Sequence, residues 1–506
     1  MRTETSAYPT GAVSRAVSRA VFRGMSGGMS SATPDAPATR AFRLDIAMVA
    51  VPCVAVVAAL WLAGGNGQLL RVAILVATTL IGLFLYLKHP VLYVQYSLWV
   101  WFLAALVRRI VDFRFGWTDP NLILFAPPLV SGIAGVNLLS GGYRLRGGIP
   151  PVFGLCGAAI LYGFLVGAWL RPIPETAYAF LTWLCPMLFG LHLYLRWPHY
   201  RQYRQAIVRT FLWAVLVVGV YGIYQFLNPL PWDCYWLENI RAAAPDSSFG
   251  LPEPLLVRVW STINAPGPFA DTMFVGLLLL FGVRSALKLP AAVAGYTSLL
   301  LSSVRAAWLS WVIGVVWIVK DASSRVKARI IFSTLLFLAC LLPVLTRPDL
   351  ALVIGTRLNS FADLEHDASL GARLEMYRQL LGDVAVNPFG RGLSNDQVFH
   401  GYALDSGIIA AALSLGWLGT FMLGLAIGSL FIGKQRMSHL PDDFVRASKA
   451  IVIALLAQVL GGNIFVSVTG TMFWIFAGMY LAAEKYYARV ATSQVAAHPM
   501  REGSRA

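Results

Sequence analysis

Gln68-Leu-Leu-Arg-Val-Ala-Ile-Leu-Val-Ala-Thr-Thr-Leu-Ile-Gly-Leu-Phe-Leu-Tyr-Leu87 carries a single charge, Arg71, close to its start. A helix rises about 1.5 Å per residue, so a stretch of this length covers about 30 Å, the thickness of a bilayer's hydrocarbon core. Similar apolar runs recur at 45–64, 90–107, 121–140, 150–170, 177–195, 207–227, 268–287, 289–304, 306–319, 330–346, 407–432, 449–467 and 469–484. The fold expected from them is all-α and polytopic, with about 14 transmembrane helices. Composition agrees: of 506 residues 58% are hydrophobic and 13% charged, against about 25% charged in ordinary soluble domains.

The net charge of +16 would suggest nucleic-acid binding in a soluble chain, but here the basic residues sit in short loops and at the ends of apolar runs. That is the pattern of cytoplasmic loops in membrane proteins, so nucleic acid is not an expected partner. With the N-terminus in the cytoplasm, 27 of the 40 Lys and Arg fall inside and 13 outside, which places both termini in the cytoplasm. Residues 1–43, rich in Ser, Ala, Gly and Arg, read as a disordered basic tail, 44–487 as the membrane domain and 488–506 as a second tail. Cys53, Cys156, Cys185 and Cys340 lie in apolar runs and Cys234 in a loop, which implies no disulfide framework.

Two outer loops are long, about 228–267 and 347–406. They hold Trp232, Tyr235, Trp236, Trp260, Phe361 and Tyr377, aromatic content that disordered linkers lack. Within the second, Leu370, Leu374, Tyr377, Leu381 and Val384 recur at helical spacing. The spacing predicts an amphipathic helix capped by Ser369, ended by Asn387-Pro388, and lying on the outer membrane surface.

The sequence holds no P-loop, no GxGxxG heading a helix, no HExxH, GxSxG or CxxC, and no Asp-x-Asp pair. Chemistry without nucleotide, metal or other cofactor is expected. Arginine on the outer side stands out instead: Arg347, Arg357, Arg373, Arg378 and Arg391 in the second loop, and Arg305 between two apolar runs. Charge beside a membrane helix is costly and points to function, and guanidinium is a planar fork suited to diphosphate or carboxylate. Arg347, Arg357 and Arg378 have Asp363, Glu365, Asp367 and Glu375 nearby and read as surface ion pairs. No acid lies within fifteen residues of Arg305 on either side. Ser261, Thr262, Asn264 and Pro266-Gly-Pro268 suit either a sugar path or an ordinary helix start. Arg108, Arg109 and Arg114, beside Asp112, suit either lipid-phosphate contact or an interfacial anchor.

Leu299-Leu-Leu-Ser-Ser-Val-Arg305-Ala-Ala-Trp-Leu309 resembles the helix, Ser-x-Arg, helix junction of the O-antigen ligase and polymerase superfamily. Leu370-Gly-Ala-Arg373-Leu-Glu-Met-Tyr377 followed by Asn387-Pro-Phe-Gly390-Arg-Gly392 resembles that family's outer-loop pattern, and Asp405-Ser-Gly-Ile-Ile409 leading to Leu415-Gly416-Trp-Leu-Gly419 resembles its entry into the next helix. The likeness covers roughly 260–430. It implies a metal-independent membrane glycosyltransferase on the outer, periplasmic face of the bacterial inner membrane, using a polyprenyl-diphosphate-linked oligosaccharide. Arg305, Arg373 and Arg391 would hold the diphosphate, and Asp405, with His400 second, would be the general base. Asp405 stands where ligases of the family carry His, which favours a polymerase of the Wzy type making exopolysaccharide or O-antigen over a ligase. The implied partners are the lipid-linked oligosaccharide, the bilayer, chain-length regulators and export proteins. A flippase of lipid-linked saccharides and a structural subunit of an export complex are the rival readings. At Asp405 an N-cap role competes with catalysis.

Overall fold

A computed structural model describes residues 66–136, 148–243, 249–320, 324–346, 368–394, 398–399, 402–403, 406–432 and 442–497. The tail at 1–43, the first expected span at 45–64, and Arg347, Arg357, His400 and Asp405 lie outside the described residues. The described chain is mainly helical, with irregular segments such as 249–265 and 387–394 and a two-residue antiparallel ladder, Val398–Phe399 against Tyr402–Ala403.

In chain order the helices are α1 Gly67–Lys88, α2 Pro90–Phe115, α3 Ala126–Gly132, α4 Pro151–Leu170, α5 Ile173–Leu195, α6 Tyr200–Leu227, α7 Pro231–Ala243 and α8 Pro266–Leu280. They continue with α9 Lys288–Leu301, α10 Arg305–Lys320, α11 Ser324–Thr346, α12 Ala368–Val386, α13 Gly407–Gly428, α14 Asp443–Ala457 and α15 Ser467–Ala497. Proline opens α2, α4, α7 and α8, the position where its missing N–H has no intrahelical partner to lose. Among the described residues six helices are long and apolar enough to cross a membrane: α1, α2, α4, α5, α6 with the turn before it, and α13. The segment Leu122–Gly135 and α8 are apolar but shorter.

The exterior agrees with that composition. Leu80, Phe84 and Leu87 of α1, Leu161, Leu165 and Trp169 of α4, and Trp417 and Phe421 of α13 are all exposed, Trp169 to 89%. Large contiguous apolar surface is rare on water-soluble monomers and is what contact with lipid requires. Inside, α8 touches α6, α9, α10, α14 and α15, and every side chain from Phe269 to Leu280 is buried. A helix apolar all round is a helix surrounded by protein. Around it α5 packs against α15, α4 and α3, α6 against α2 and α9, and α13 against α4. Aromatic edges fill the seams: Phe102 on Phe211, Phe211 on Phe476, Tyr93 on Phe189.

α6, about 42 Å long, relates the two ends of the bundle. At its start Tyr200 and Arg204 meet Asp442, which caps α14 and also accepts from Tyr487 of α15; the four contacts span 2.8–3.2 Å. One buried carboxylate thus ties three helices. At the far end of α6, Gln225 Oε1 accepts the N–H groups of Trp260 and Ser261 at 3.2 and 2.8 Å, so segment 249–265 folds back over that end.

The arginines of α2 hold it there. Arg109, fully buried, pairs with Asp233 of α7 at 3.1 Å, donates to the Ile263 carbonyl at 3.1 Å and also to that of Ser261. Arg108 pairs with Asp112 at 3.1 Å, Arg71 reaches the same carboxylate at 2.8 Å, and Asn121 donates to it at 2.9 Å. Neither residue is a lipid contact or interfacial anchor: each is buried on a carboxylate, while Arg114 is exposed. Removing one partner of a buried pair leaves the other charge uncompensated, at a cost of about 3–5 kcal/mol. Arg109→Leu and Asp233→Leu are each expected to lower the melting temperature in detergent by more than the double variant does.

Candidate functional site

The sequence-predicted Arg305 opens α10, directly after a tight junction. α9 ends at Leu301. Ser302 turns its hydroxyl back onto the Leu299 carbonyl at 2.6 Å, and Trp308 Nε1 donates to that same carbonyl at 3.1 Å. Ser303 takes a left-handed φ of 55°, a conformation that costs a side-chain-bearing residue about 1–2 kcal/mol and survives only where neighbours enforce it. Those neighbours include Arg258, which donates to the carbonyls of Ser302 at 3.4 Å and Ser303 at 3.3 Å, and Val259, whose N–H meets Leu301 O at 3.4 Å. Two guanidinium-bearing residues are therefore assembled on one turn, from segments 47 positions apart. Arg258 was not singled out by its sequence; its place in the long segment 228–267 was the only signal for it.

Arg391 lies in a different construction. α13 is broken at Gly416, where φ is 63° and ψ −170°. Segment Asn387–Leu393 is laid into the break: Trp417 N–H donates to Pro388 O at 2.9 Å, Arg391 N–H to Leu413 O at 2.7 Å, and Leu393 N–H to Gly163 O of α4 at 2.9 Å. Tyr162 Oη adds a bond to Phe389 O at 2.8 Å. Backbone groups freed by a break in an apolar helix require such substitute partners. Gly390 and Gly392, both at positive φ, meet the backbone of Gly416 and Gly167 so closely that a Cβ at either position would overlap it. The Gly-x-Gly spacing is a steric requirement of this crossing. The Arg391 guanidinium stands 3.4 Å from Asp383 of α12.

A helix stands where the spacing predicts one, α12, ending before Asn387, with Ser369 inside it and not capping it. Its packed face is Tyr377, Leu380 and Val384 against Ile409 and Leu413 of α13, whereas Leu374 and Leu381 of the predicted stripe are exposed. Tyr377 Oη donates to Leu460 O at 3.0 Å and lies 2.6 Å from Ser406 Oγ, the N-cap of α13. Arg373 sits one turn before Tyr377 in the helix. Arg378 pairs with Glu375 at 3.8 Å, mostly exposed, the surface pairing its sequence suggested.

Between α10 and α13 the turn Gln458–Leu460 touches both helices. Gln458 Nε2 donates at 2.7 Å to Asp271 of α8, whose other oxygen accepts from Thr469 at 2.8 Å. Asp271, a buried carboxyl group within an otherwise apolar helix, was not read from the sequence. Ser261 is committed to the backbone through Val218 O at 2.6 Å and Gln225, so it is a fold residue. The Thr262 hydroxyl and Asn264 Oδ1 are buried with no hydrogen-bond partner among the described residues. Burial first, then the charges of Asp233 and Glu238, push the Cys234 thiol above its ordinary value and keep it protonated. The chain matches no protein-family model, no curated protein and no solved structure.

Proposed function

We propose that this chain is a polymerase that joins polyprenyl-diphosphate-linked oligosaccharide repeat units into exopolysaccharide or O-antigen on the outer face of the bacterial inner membrane. In this reading about 14 helices span the bilayer, both termini are cytoplasmic, and the end of the bundle bearing Arg109, Arg258 and Arg305 is the outer one, with α12 on the outer surface. The observation that carries the reading is the meeting of Arg258 with the Ser302–Ser303 turn, two residues before Arg305. When an acceptor hydroxyl attacks the anomeric carbon, that carbon's bond to the diphosphate oxygen breaks and negative charge grows on the departing lipid diphosphate. Preorganised cations at that point lower the barrier, and the start of α10 adds its own partial positive charge. Arg305, Arg373 and Arg391 keep their assignment to the diphosphate, joined by Arg258. Asp405, then His400, remain the assigned proton acceptors.

One observation favours the transporter reading. Broken helices are a recurrent feature of transporter binding sites, and α13 is broken at Gly416. Here, however, the break is occupied by the backbone of 387–393. Purified protein in liposomes, given a defined polyprenyl-diphosphate oligosaccharide, distinguishes the cases. Lengthening of the lipid-linked glycan is expected; passage across the bilayer without lengthening identifies a transporter, and transfer to a different acceptor a ligase.

A further inference from the structure

Four acids are buried among the described residues: Asp112, Asp233, Asp271 and Asp442. Three of them are paired with arginine, Asp112 with Arg71 and Arg108, Asp233 with Arg109, and Asp442 with Arg204. Asp271, in the central helix α8, is the exception. Its two oxygens meet neutral donors, Gln458 Nε2 at 2.7 Å on one and the Thr469 hydroxyl at 2.8 Å on the other, and among the described residues no charged group acts on it. A lone carboxylate taken out of water is costly unless a positive charge accompanies it, and an ionisable group among membrane helices marks function by default.

The surroundings of Asp271 supply what a small cation takes. The Thr469 hydroxyl is a neutral oxygen ligand beside the carboxylate, and the Gln458 amide, which presents its N–H here, offers an oxygen from the same position when flipped. Gln458 also leads out of the C-terminal end of α14, whose partial negative charge favours a cation. An acid, neutral oxygens and a helix C-terminal end are the elements from which membrane proteins build Na+ sites. We propose that Asp271, Thr469 and Gln458 bind one monovalent cation, Na+, which supplies the positive charge that arginine gives the other three acids. A divalent ion fits less well: beside a single acid it leaves one charge in excess, and among the described residues no cluster of three His, Cys, Asp or Glu exists to share it. Occupancy acts beyond the site. The turn Gln458–Leu460 touches α10 and α13, and Leu460 O accepts from Tyr377 of α12, so a cation that fixes Gln458 also steadies the helix carrying Arg373. The inference stands without the polymerase reading.

Full-length protein in detergent is titrated with NaCl against choline chloride at matched ionic strength, following radioactive Na+ bound per chain and the melting temperature. One saturable Na+ per chain is expected, with a melting temperature that rises with NaCl, as for any ligand that binds only the folded state. Protons compete for the same carboxylate, so once the acid form prevails the Na+ affinity should fall by about tenfold per pH unit. Asp271→Asn is expected to abolish both the bound Na+ and the NaCl effect without lowering the melting temperature in choline, because an amide of the same size can accept from Gln458 and donate to Thr469. Thr469→Val is expected to weaken Na+ binding by about tenfold, and Thr469→Ser, which keeps the hydroxyl, to retain it; if Asp271→Asn fails to fold, this pair carries the comparison. Absence of saturable Na+ binding from mildly acidic to mildly alkaline pH, or binding unchanged in Asp271→Asn, overturns the proposal. A melting temperature that follows pH but not Na+ overturns it too, and leaves Asp271 a proton site alone.

Discussion

Alanine in place of Arg305 is expected to lower glycan lengthening by about 10²–10³-fold, the range seen when one preorganised donor to a developing oxyanion is removed. The loss should fall on turnover more than on donor binding, because the leaving diphosphate gains its extra charge only in the transition state. Arg373→Ala is expected to act in the same way. Arg258→Ala should do so for two reasons, since it also releases the carbonyls of Ser302 and Ser303 and frees the strained Ser303 turn. Arg258→Lys separates these roles: it keeps a charge but not a fork able to reach two carbonyls, so partial activity marks the charge as the larger share. Each variant is compared at equal protein in the membrane. Polymer of normal length and amount from both Arg305→Ala and Arg373→Ala would take those arginines out of the site.

The class of fold was legible because lipid leaves its mark residue by residue. Gln68–Leu87 reads as a spanning helix from composition alone, and α1 occupies Gly67–Lys88. α12 was legible for the same reason, its spacing and its Asn-Pro stop being local. What was illegible depended on partners far along the chain. Arg109 reads equally as a lipid-phosphate contact or an interfacial anchor until Asp233, more than a hundred residues away, arrives beside it. The run 407–432 is continuously apolar, and nothing within it discloses that Gly416 breaks the helix, because the groups that satisfy the break come from 387–393. Arg258 stayed hidden likewise, its meaning given by a turn 44 residues later. The motif glycines were visible as a pattern, but their reason was not.

That reason makes a sharp prediction. Gly392→Ala is expected to be among the most damaging alanine substitutions in the chain, although it adds one methyl group. The added Cβ would overlap the backbone of Gly167 in α4, and backbone, unlike a flexible side chain, has no rotamer to yield. Overpacking of this kind costs about 1–3 kcal/mol, and the positive φ of 77° adds about 1–2 kcal/mol for any side-chain-bearing residue. Together these approach a large fraction of a typical domain's stability of about 5–15 kcal/mol. Gly416→Ala faces the same two penalties against Pro388 and Phe389. Gly371→Ala and Gly382→Ala are the controls: both lie in α12 with nothing near the added Cβ, and there alanine should stabilise the helix by up to about 1 kcal/mol. Thermal unfolding of the four variants in one detergent tests the crossing directly. Equal melting temperatures for Gly392→Ala and Gly371→Ala would mean that 387–393 does not pass between α4 and the break in α13.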